Sequence, residues 1–160
     1  FNSCGRSDGA AAVVVATQRK AKELGLEIMA ELKGWGFDGA VPAHMGFAPA
    51  LAAPVALARA GISFDDLDLI ELHEPFAATV LAIFKVGLER FGHDWAGKNA
   101  SGALNPNGGS IALGHPLGAT GVRLLLILLY GLKRDSQSRY GMLAACAGGG
   151  VGGAMVVEKA

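Results

Sequence analysis

Residues 141–159 read GMLAACAGGGVGGAMVVEK, two apolar segments joined by a run of glycines. Each segment has the length of a β-strand, and glycine permits the tight turn that so short a connection needs. Two strands joined this closely must run antiparallel, because a parallel pair needs a crossover of about a dozen residues or more. The stretch therefore predicts that the fold ends in an antiparallel strand pair.

The rest of the chain alternates segments that resemble strands and helices. Apolar runs predict further strands at 10–16, 28–35 and 69–73. Capping residues, an early proline or a following glycine predict helices at 17–23, 49–60, 75–91 and 118–132. Apolar spacing from Phe76 to Phe91 predicts a face packed in the core, and the last helix, apolar nearly all round, is expected at the centre. This alternation indicates a layered α/β fold.

Glycine is unusually frequent, with 24 residues in a chain of 160, against an average usage of about 7%. Because 51% of the residues are hydrophobic, the chain can bury a core. Its glycines are therefore expected at turns and close contacts rather than in a disordered tract. The 14 basic and 14 acidic residues leave no net charge, which argues against a nucleic-acid partner.

Composition also bears on membranes and on the redox state of the cysteines. The longest apolar run, at 124–132, is too short to cross a bilayer. Cys4 and Cys146 are the two cysteines of a chain rich in alanine and leucine, which favours free thiols in a reducing compartment. We therefore expect a soluble protein of the cytoplasm, or of an organelle in a eukaryote.

Two glycine-rich turns each carry one reactive side chain. His115 lies in NPNGGSIALGHPLGATGVR, residues 105–123, before a predicted helix whose N-terminal dipole favours a neutral, proton-accepting imidazole. Cys146 lies in AACAGGGVGG, residues 144–153, where the glycines leave the sulfur uncrowded and supply amides for an oxyanion site. The structural alternatives are a packed or surface histidine and an inert, buried cysteine.

His73 and Glu74 lie where a predicted strand meets a helix N-terminus. Ligands bind at the carboxyl ends of strands in α/β sheets, and an imidazole here is expected to titrate near neutral pH. A solvated His–Glu pair capping the helix is an equal alternative. The sequence has no phosphate-loop, dinucleotide or serine-hydrolase spacing and no metal-ligand pattern, so no metal or nucleotide cofactor is predicted.

Four segments resemble blocks of the thiolase family. GGSIALGHPLGATG at 108–121 and CAGGGVGGAM at 146–155 are similar to its two C-terminal signatures, and NSCGRSDGAAAVV at 2–14 and ELHEPFAA at 71–78 to flanking blocks. The similarity spans essentially the whole chain. It implies a thiolase-fold C-terminal domain over 1–160, with a layered, mixed five-stranded sheet and helices on both faces. Residues 1–25 are then expected to be the end of a preceding N-terminal half.

The resemblance implies an acyltransferase that cleaves a 3-ketoacyl-CoA with CoA, or condenses two acyl-CoAs, through an acyl group on a cysteine. His115 would activate that nucleophile and help to bind the thioester oxygen, and Cys146 would move the second proton. The backbone amide of Gly148 matches an oxyanion-hole donor, and His73 replaces an asparagine that positions a water molecule. The implied substrate-binding residues are Met45, Phe76 and Cys4, the last in place of a common serine.

The implied partners are acyl-CoA and CoA as substrates, with no further cofactor. The nucleophilic cysteine belongs to the N-terminal half, so the chain alone is expected to be inactive and to need that half as a partner. A homodimer or homotetramer is implied, and the histidine at 73 resembles thiolases that act with a hydratase/dehydrogenase subunit in β-oxidation. The alternative is a noncatalytic thiolase-like module for acyl binding or assembly. A ketoacyl synthase fits less well, because it would carry another motif at Cys146.

Overall fold

Residues 2–160, which the computed structural model describes, form a four-stranded mixed sheet with helices against both faces. The strands are β1 (Ala30–Gly39), β2 (Leu69–Leu72), β3 (Tyr140–Ala147) and β4 (Val151–Lys159). The helices are α1 (Gln18–Glu23), α2 (Ala48–Ala60), α3 (Ala77–Phe91), α4 (Trp95–Ala100), α5 (Ser110–Leu113) and α6 (Thr120–Arg134), with a 3-10 helix at Pro42–Phe47. The predicted α/β class and the antiparallel pair at the end of the chain are confirmed.

The strands lie in the order β1-β4-β3-β2. The glycine turn joins β3 and β4 in antiparallel register, with Ala147 opposite Val151, and β1 pairs with the other edge of β4. β2 runs parallel to β3, with Leu69 opposite Gly141. The helices between β2 and β3 provide the crossover that a parallel pair requires. As a result, the carboxyl ends of β2 and β3 meet at one edge of the sheet.

Successive side chains of β4 point to opposite faces of the sheet, so the core has two layers, one on each face. Val156 points toward α2, together with Met142 and Ala144 of β3, whereas Val157 packs against Leu128 of α6. Each fully buried aliphatic side chain contributes roughly 1.5–3 kcal/mol. The expectation that α6 lies at the centre is wrong, because it covers one face of the sheet and leaves exposed residues such as Tyr130 on its outer side. No helix within residues 2–160 has the length and hydropathy needed to span a bilayer.

Small residues allow α2 to lie unusually close to the sheet. A Cβ at Gly34 of β1 would overlap the carbonyl oxygen of Ala56, and one at Gly152 of β4 would overlap that of Ala48. Five of the seven alanines of α2 are fully buried: Ala48, Ala50, Ala52, Ala53 and Ala56. Glycine is therefore required by the close approach of backbones at these two strand positions.

The predicted strand at 10–16 is not present, and the sheet has four strands instead of five. Val14 and Val15 are 82% and 84% exposed. A strand exists only where a neighbour takes up its backbone N–H and C=O groups. Since no strand within residues 2–160 pairs with this run, its apolar side chains stay exposed.

The apolar spacing of α3 predicted one continuous face buried in the core. In the structure, only the middle of that face is buried. Ile83 is fully buried, and Val80 and Phe84 pack against the core. Phe76 and Phe91, at the two ends of the face, are 45% and 39% exposed. The expectation is therefore correct for the middle of the helix and wrong for its ends. The neighbours of α3 are the 3-10 helix, α2 and α4.

Candidate active site

The candidate residues meet at the carboxyl ends of β2 and β3. His73 directly follows β2, and its backbone N–H donates to the carbonyl oxygen of Ala144 on β3, at 2.9 Å. Cys146 lies two residues farther along β3. The parallel register thus brings two distant sequence blocks to the one edge of the sheet where α/β folds bind ligands.

The N-terminal segment joins the same edge. Cys4 donates its backbone N–H to the carbonyl oxygen of Pro75 at 3.0 Å, and His115 donates its own to Gly5 at 2.8 Å. Cys4 and Cys146 are both free thiols of intermediate exposure. Residues 4 and 5 therefore hold the two histidine-bearing segments side by side.

His115 is held in one tautomer by Thr120. Its Nδ1 lies 2.7 Å from the Thr120 Oγ1, and that hydroxyl lies 3.1 Å from the Pro116 carbonyl oxygen. Both contacts form together only if the hydroxyl donates to Pro116 and accepts from Nδ1–H. The lone pair on Nε2 is then free to accept a proton.

The electrostatics of His115 agree with this arrangement. Burial lowers the pKa of its imidazole, and the Arg123 guanidinium lowers it further. The sequence predicted a neutral ring because of a nearby helix N-terminus. The structure agrees in direction, although burial and Arg123 are the causes.

His73 is only 3% exposed, which excludes the solvated His–Glu pair. Its Nδ1 lies 2.8 Å from the Ser110 Oγ, and the centroid of its ring lies 4.3 Å from that of His115. Burial lowers the pKa of His73 to about 4, and the charges of His115 and Arg123 act in the same direction. His73 therefore remains neutral throughout the neutral pH range.

Glu74 points into the loop that carries His115. Its carboxylate accepts hydrogen bonds from the Asn105 side-chain amide at 2.5 Å and from the backbone N–H of Ile111 at 3.2 Å. A Cβ at Gly109 would overlap this carboxyl group, so the loop needs glycine there. The contacts indicate that Glu74 positions the loop.

Asn105 joins that loop to the end of β2, and the sequence reasoning missed it. Its side chain accepts the N–H of Leu72 at 2.7 Å and donates to the Leu72 carbonyl oxygen at 3.0 Å, as a neighbouring strand would. Its backbone is left-handed, with φ 48°, a conformation that asparagine adopts more readily than most residues. The Asn-Pro-Asn-Gly-Gly turn was the signal that could have revealed it.

Arg123 and Glu71 are two further ionisable residues in this region of the structure. Arg123 of α6 donates from Nη2 to the Ser110 Oγ at 3.3 Å and to the Gly114 carbonyl oxygen at 3.1 Å. Glu71 of β2 is 1% exposed, and its Oε2 has no hydrogen-bond partner within residues 2–160. Burial raises the pKa of Glu71 to about 8, although Arg123 acts in the opposite direction. The sequence analysis did not single out Glu71, because the residue lies in what looks like an ordinary strand.

Glu71→Gln should flatten the pH dependence of stability in the protein that contains this chain. The carboxyl pKa rises from 4.5 to about 8 on folding, so between these values the folded state holds a proton that the unfolded state releases. Stability should therefore fall as pH rises through this window, by up to about 1.4 kcal/mol per pH unit. Urea unfolding at pH 5 and pH 8 measures the change.

Glu89→Gln is the control for that experiment, since Glu89 is an exposed helix residue. It should leave the pH dependence as in the unmodified protein. An unaltered pH dependence in Glu71→Gln would contradict the assignment of a buried, protonated carboxyl group.

Cys146 is half-buried near the end of β3. Burial raises the pKa of its thiol, so the group is protonated at neutral pH and suited to donating a proton. Gly148 lies in the turn that follows, where a Cβ would meet open space. Within residues 2–160, no three side chains of metal-binding type form a cluster.

The predicted substrate-binding residues lie around the start of α3. Phe76 immediately precedes that helix and is partly exposed. Met45 belongs to the 3-10 helix, which packs against α3 and also contacts β3 and β4. Cys4 bonds to Pro75, beside Phe76. The structure places these residues around the start of α3, and their roles in binding remain predictions.

The fold and this cluster of residues define the class of the protein. Residues 26–159 match the family described as "Thiolase, C-terminal domain", and the chain belongs to that family. Over 158 residues it is 43% identical to the peroxisomal 3-ketoacyl-CoA thiolase B of Rattus norvegicus, covering 98% of this chain and 35% of the relative. It is 44% identical over 158 residues to an acetyl-CoA acetyltransferase of Cupriavidus necator, covering 99% and 37%.

A solved structure shows the same fold. The crystal structure of the Bacillus anthracis acetyl-CoA acetyltransferase superposes with a TM-score of 0.87 at 36% identity, covering 99% of this chain and 38% of that one. The chain thus spans somewhat more than a third of the length of these relatives. The membership predicted from the sequence motifs is confirmed.

Proposed function

We propose that this chain is the C-terminal catalytic half of a thiolase, which transfers acyl groups between acyl-CoA and CoA. The reaction is thiolytic cleavage of a 3-ketoacyl-CoA or the reverse condensation. The names of the relatives, 3-ketoacyl-CoA thiolase and acetyl-CoA acetyltransferase, support this substrate class. Two features carry the proposal together. The Nε2 of His115 is free to accept a proton, and the thiol of Cys146 is protonated.

His115 begins the proposed reaction by accepting the proton of the nucleophilic cysteine on its Nε2. Thr120 already holds the Nδ1–H, so the ring becomes an imidazolium without turning. The resulting thiolate attacks the 3-keto carbonyl carbon, and the new Nε2–H of His115 donates to the carbonyl oxygen. His73, whose ring lies beside that of His115, adds a neutral donor at the same oxygen or at a water bound to it.

Cys146 completes the cleavage. When the bond between C2 and C3 breaks, the electron pair stays on C2, the shortened acyl group stays on the nucleophilic cysteine, and the Cys146 thiol protonates C2 to release acetyl-CoA. The incoming CoA thiol then gives its proton to Cys146 and attacks the acyl-cysteine. The shortened acyl-CoA leaves, and the released cysteine thiolate recovers its proton from His115, which restores the enzyme. The backbone amide of Gly148, in the open turn after β3, is the proposed donor to the thioester oxygen.

Assembly with an N-terminal half is part of the proposal. Residues 1–25 are assigned to the end of that half, and the exposed apolar run at 13–15 supports the assignment. A homodimer or homotetramer is proposed, with a hydratase/dehydrogenase subunit as a further partner because of His73. We place the enzyme in the cytoplasm, or in an organelle of a eukaryote, with CoA thioesters as substrates and no cofactor.

The test compares the chain alone with the chain joined to a thiolase N-terminal half. We expect the joined protein to cleave acetoacetyl-CoA and the chain alone to show no measurable turnover, because covalent catalysis needs the missing thiolate. General acid–base groups alone contribute only about 10²–10⁴-fold. The assay follows acetoacetyl-CoA consumption with protein free of host thiolase.

Two outcomes of this comparison would change the proposal. Turnover by the chain alone would place the nucleophile within it, with Cys4 as the first candidate. A joined protein that folds and binds acyl-CoA without turnover would favour the noncatalytic module instead.

A further inference from the structure

Ser110 lies behind His73 and has no function in the proposed reaction. It is the first residue of α5 and is fully buried, so water does not reach its hydroxyl group. The Ser110 Oγ lies 2.8 Å from the His73 Nδ1 and 3.3 Å from the Arg123 Nη2. An arginine can only donate hydrogen bonds, so Oγ accepts from Arg123.

The hydroxyl proton of Ser110 therefore has one available hydrogen-bond acceptor in the described part of the chain. Among residues 2–160, the His73 Nδ1 is the only acceptor within hydrogen-bond distance of this hydroxyl. When Nδ1 accepts a hydrogen bond, the single proton of the neutral ring must lie on Nε2. His73 is thus an Nε2–H donor.

The neighbouring histidine is in the opposite tautomer. His115 donates from Nδ1 to Thr120, which leaves its Nε2 without a proton. The two ring centroids lie 4.3 Å apart. The two histidines thus have different roles because a different hydroxyl group contacts each ring. Thr120 leaves His115 as a proton acceptor, and Ser110 leaves His73 as a hydrogen-bond donor.

We propose that Ser110, oriented by Arg123, is a positioning residue that fixes His73 as the Nε2–H tautomer and so makes it a hydrogen-bond donor to the substrate carbonyl oxygen or to its bound water. The inference rests on the proposed thiolase function. Arg123 is essential to it because this side chain occupies the Ser110 oxygen as a donor and cannot receive its proton. The Arg123 contact with the Gly114 carbonyl oxygen, at 3.1 Å, keeps the guanidinium in place.

Without the serine hydroxyl, the tautomer of His73 is no longer determined. Nδ1 would be a buried nitrogen without a partner, and the proton could then lie on either nitrogen. In the Nδ1–H form His73 offers a lone pair to the developing oxyanion instead of a donor. Loss of the serine hydrogen bond that fixes the tautomer corresponds to about a tenfold decrease in kcat, less than removal of the whole His73 donor.

A double-mutant cycle in the complete enzyme tests the inference. Ser110→Ala should lower kcat about tenfold, whereas the same change in a His73→Asn background should have little further effect. An asparagine amide has a fixed donor group and no tautomers, so Ser110 has nothing to fix there. Ser101→Ala, which removes an exposed hydroxyl bonded to Lys98, is the matched control and should leave kcat unchanged.

¹⁵N-histidine NMR of the complete enzyme provides a readout independent of activity. In the unmodified protein, the His73 Nδ1 should resonate as an unprotonated nitrogen and Nε2 as a protonated one. Ser110→Ala should move both resonances toward intermediate positions. The spectrum of the unmodified protein is informative even if Ser110→Ala does not fold.

Three results would overturn the inference: a protonated Nδ1 on His73, an unchanged kcat in Ser110→Ala, or equal decreases in both backgrounds. The last result would mean that Ser110 only supports the fold. Absence of turnover in the unmodified complete enzyme would instead contradict the proposed function, and the NMR spectrum would still decide the tautomer.

Discussion

Replacing His115 by alanine is expected to lower the turnover of the complete enzyme by about 10²–10⁴-fold, the contribution of a principal general base. The free Nε2 of His115 is the acceptor on which activation of the nucleophile depends, since Thr120 occupies the other ring nitrogen. Pre-steady-state measurement of acyl-enzyme formation should show that the first step is the one lost.

Two further variants serve as a comparison and a control for His115→Ala. Cys146→Ser should retain part of the acylation step while slowing the later proton transfer, so the two variants should differ in which step is slow. His93→Ala removes an imidazole that stacks on Phe64 outside the candidate site, and it should have little effect on turnover. Near-normal activity in both His115→Ala and Cys146→Ser would contradict the catalytic assignment and favour a binding module.

Replacing His73 by alanine is expected to reduce turnover by about 10²–10³-fold, as loss of one oxyanion donor does. His73→Asn should keep most of the activity, because its amide group can supply the same kind of hydrogen bond. Steady-state kinetics of both variants measure the difference. An active alanine variant would reduce His73 to a packing role and remove the chemical function of the segment 73–76.

The pH dependence of turnover tests whether His73 is neutral in the working enzyme. Burial lowers its pKa to about 4, so His73 is neutral above that value and loses its neutral form only as pH falls through it. The sequence-based expectation of titration near neutral pH is therefore wrong. The unmodified enzyme and His73→Asn should have the same profile from about pH 6 to 8 and differ only on the far acid side. Different profiles within the neutral range would contradict this assignment.

Short-range features of the chain could be predicted from the sequence alone. Thr17 accepts from the backbone N–H of Lys20 and caps α1, and Gly61 ends α2 in the left-handed conformation, as their residue types indicated. The glycine turn forced β3 and β4 to run antiparallel. The motifs around His115 and Cys146 predicted both the family and the candidate catalytic side chains. These features depend on neighbours within a few residues, which the sequence displays directly.

Other features required the three-dimensional arrangement. Ser110 meets His73 across 37 positions of sequence, and Asn105 reaches Leu72 across 33, distances at which spacing carries no signal. The run at 10–16 has strand-like composition, yet a strand forms only where a partner takes up its backbone hydrogen bonds.

The sequence by itself determined the family, the local helices and turns, and the identities of the candidate residues. Tertiary structure alone decided which histidine donates and which accepts, that Glu71 holds a proton, and that His73 stays neutral. The physical reason is that protonation and tautomer depend on burial and on hydrogen-bond partners, and both are set by packing between distant segments of the chain.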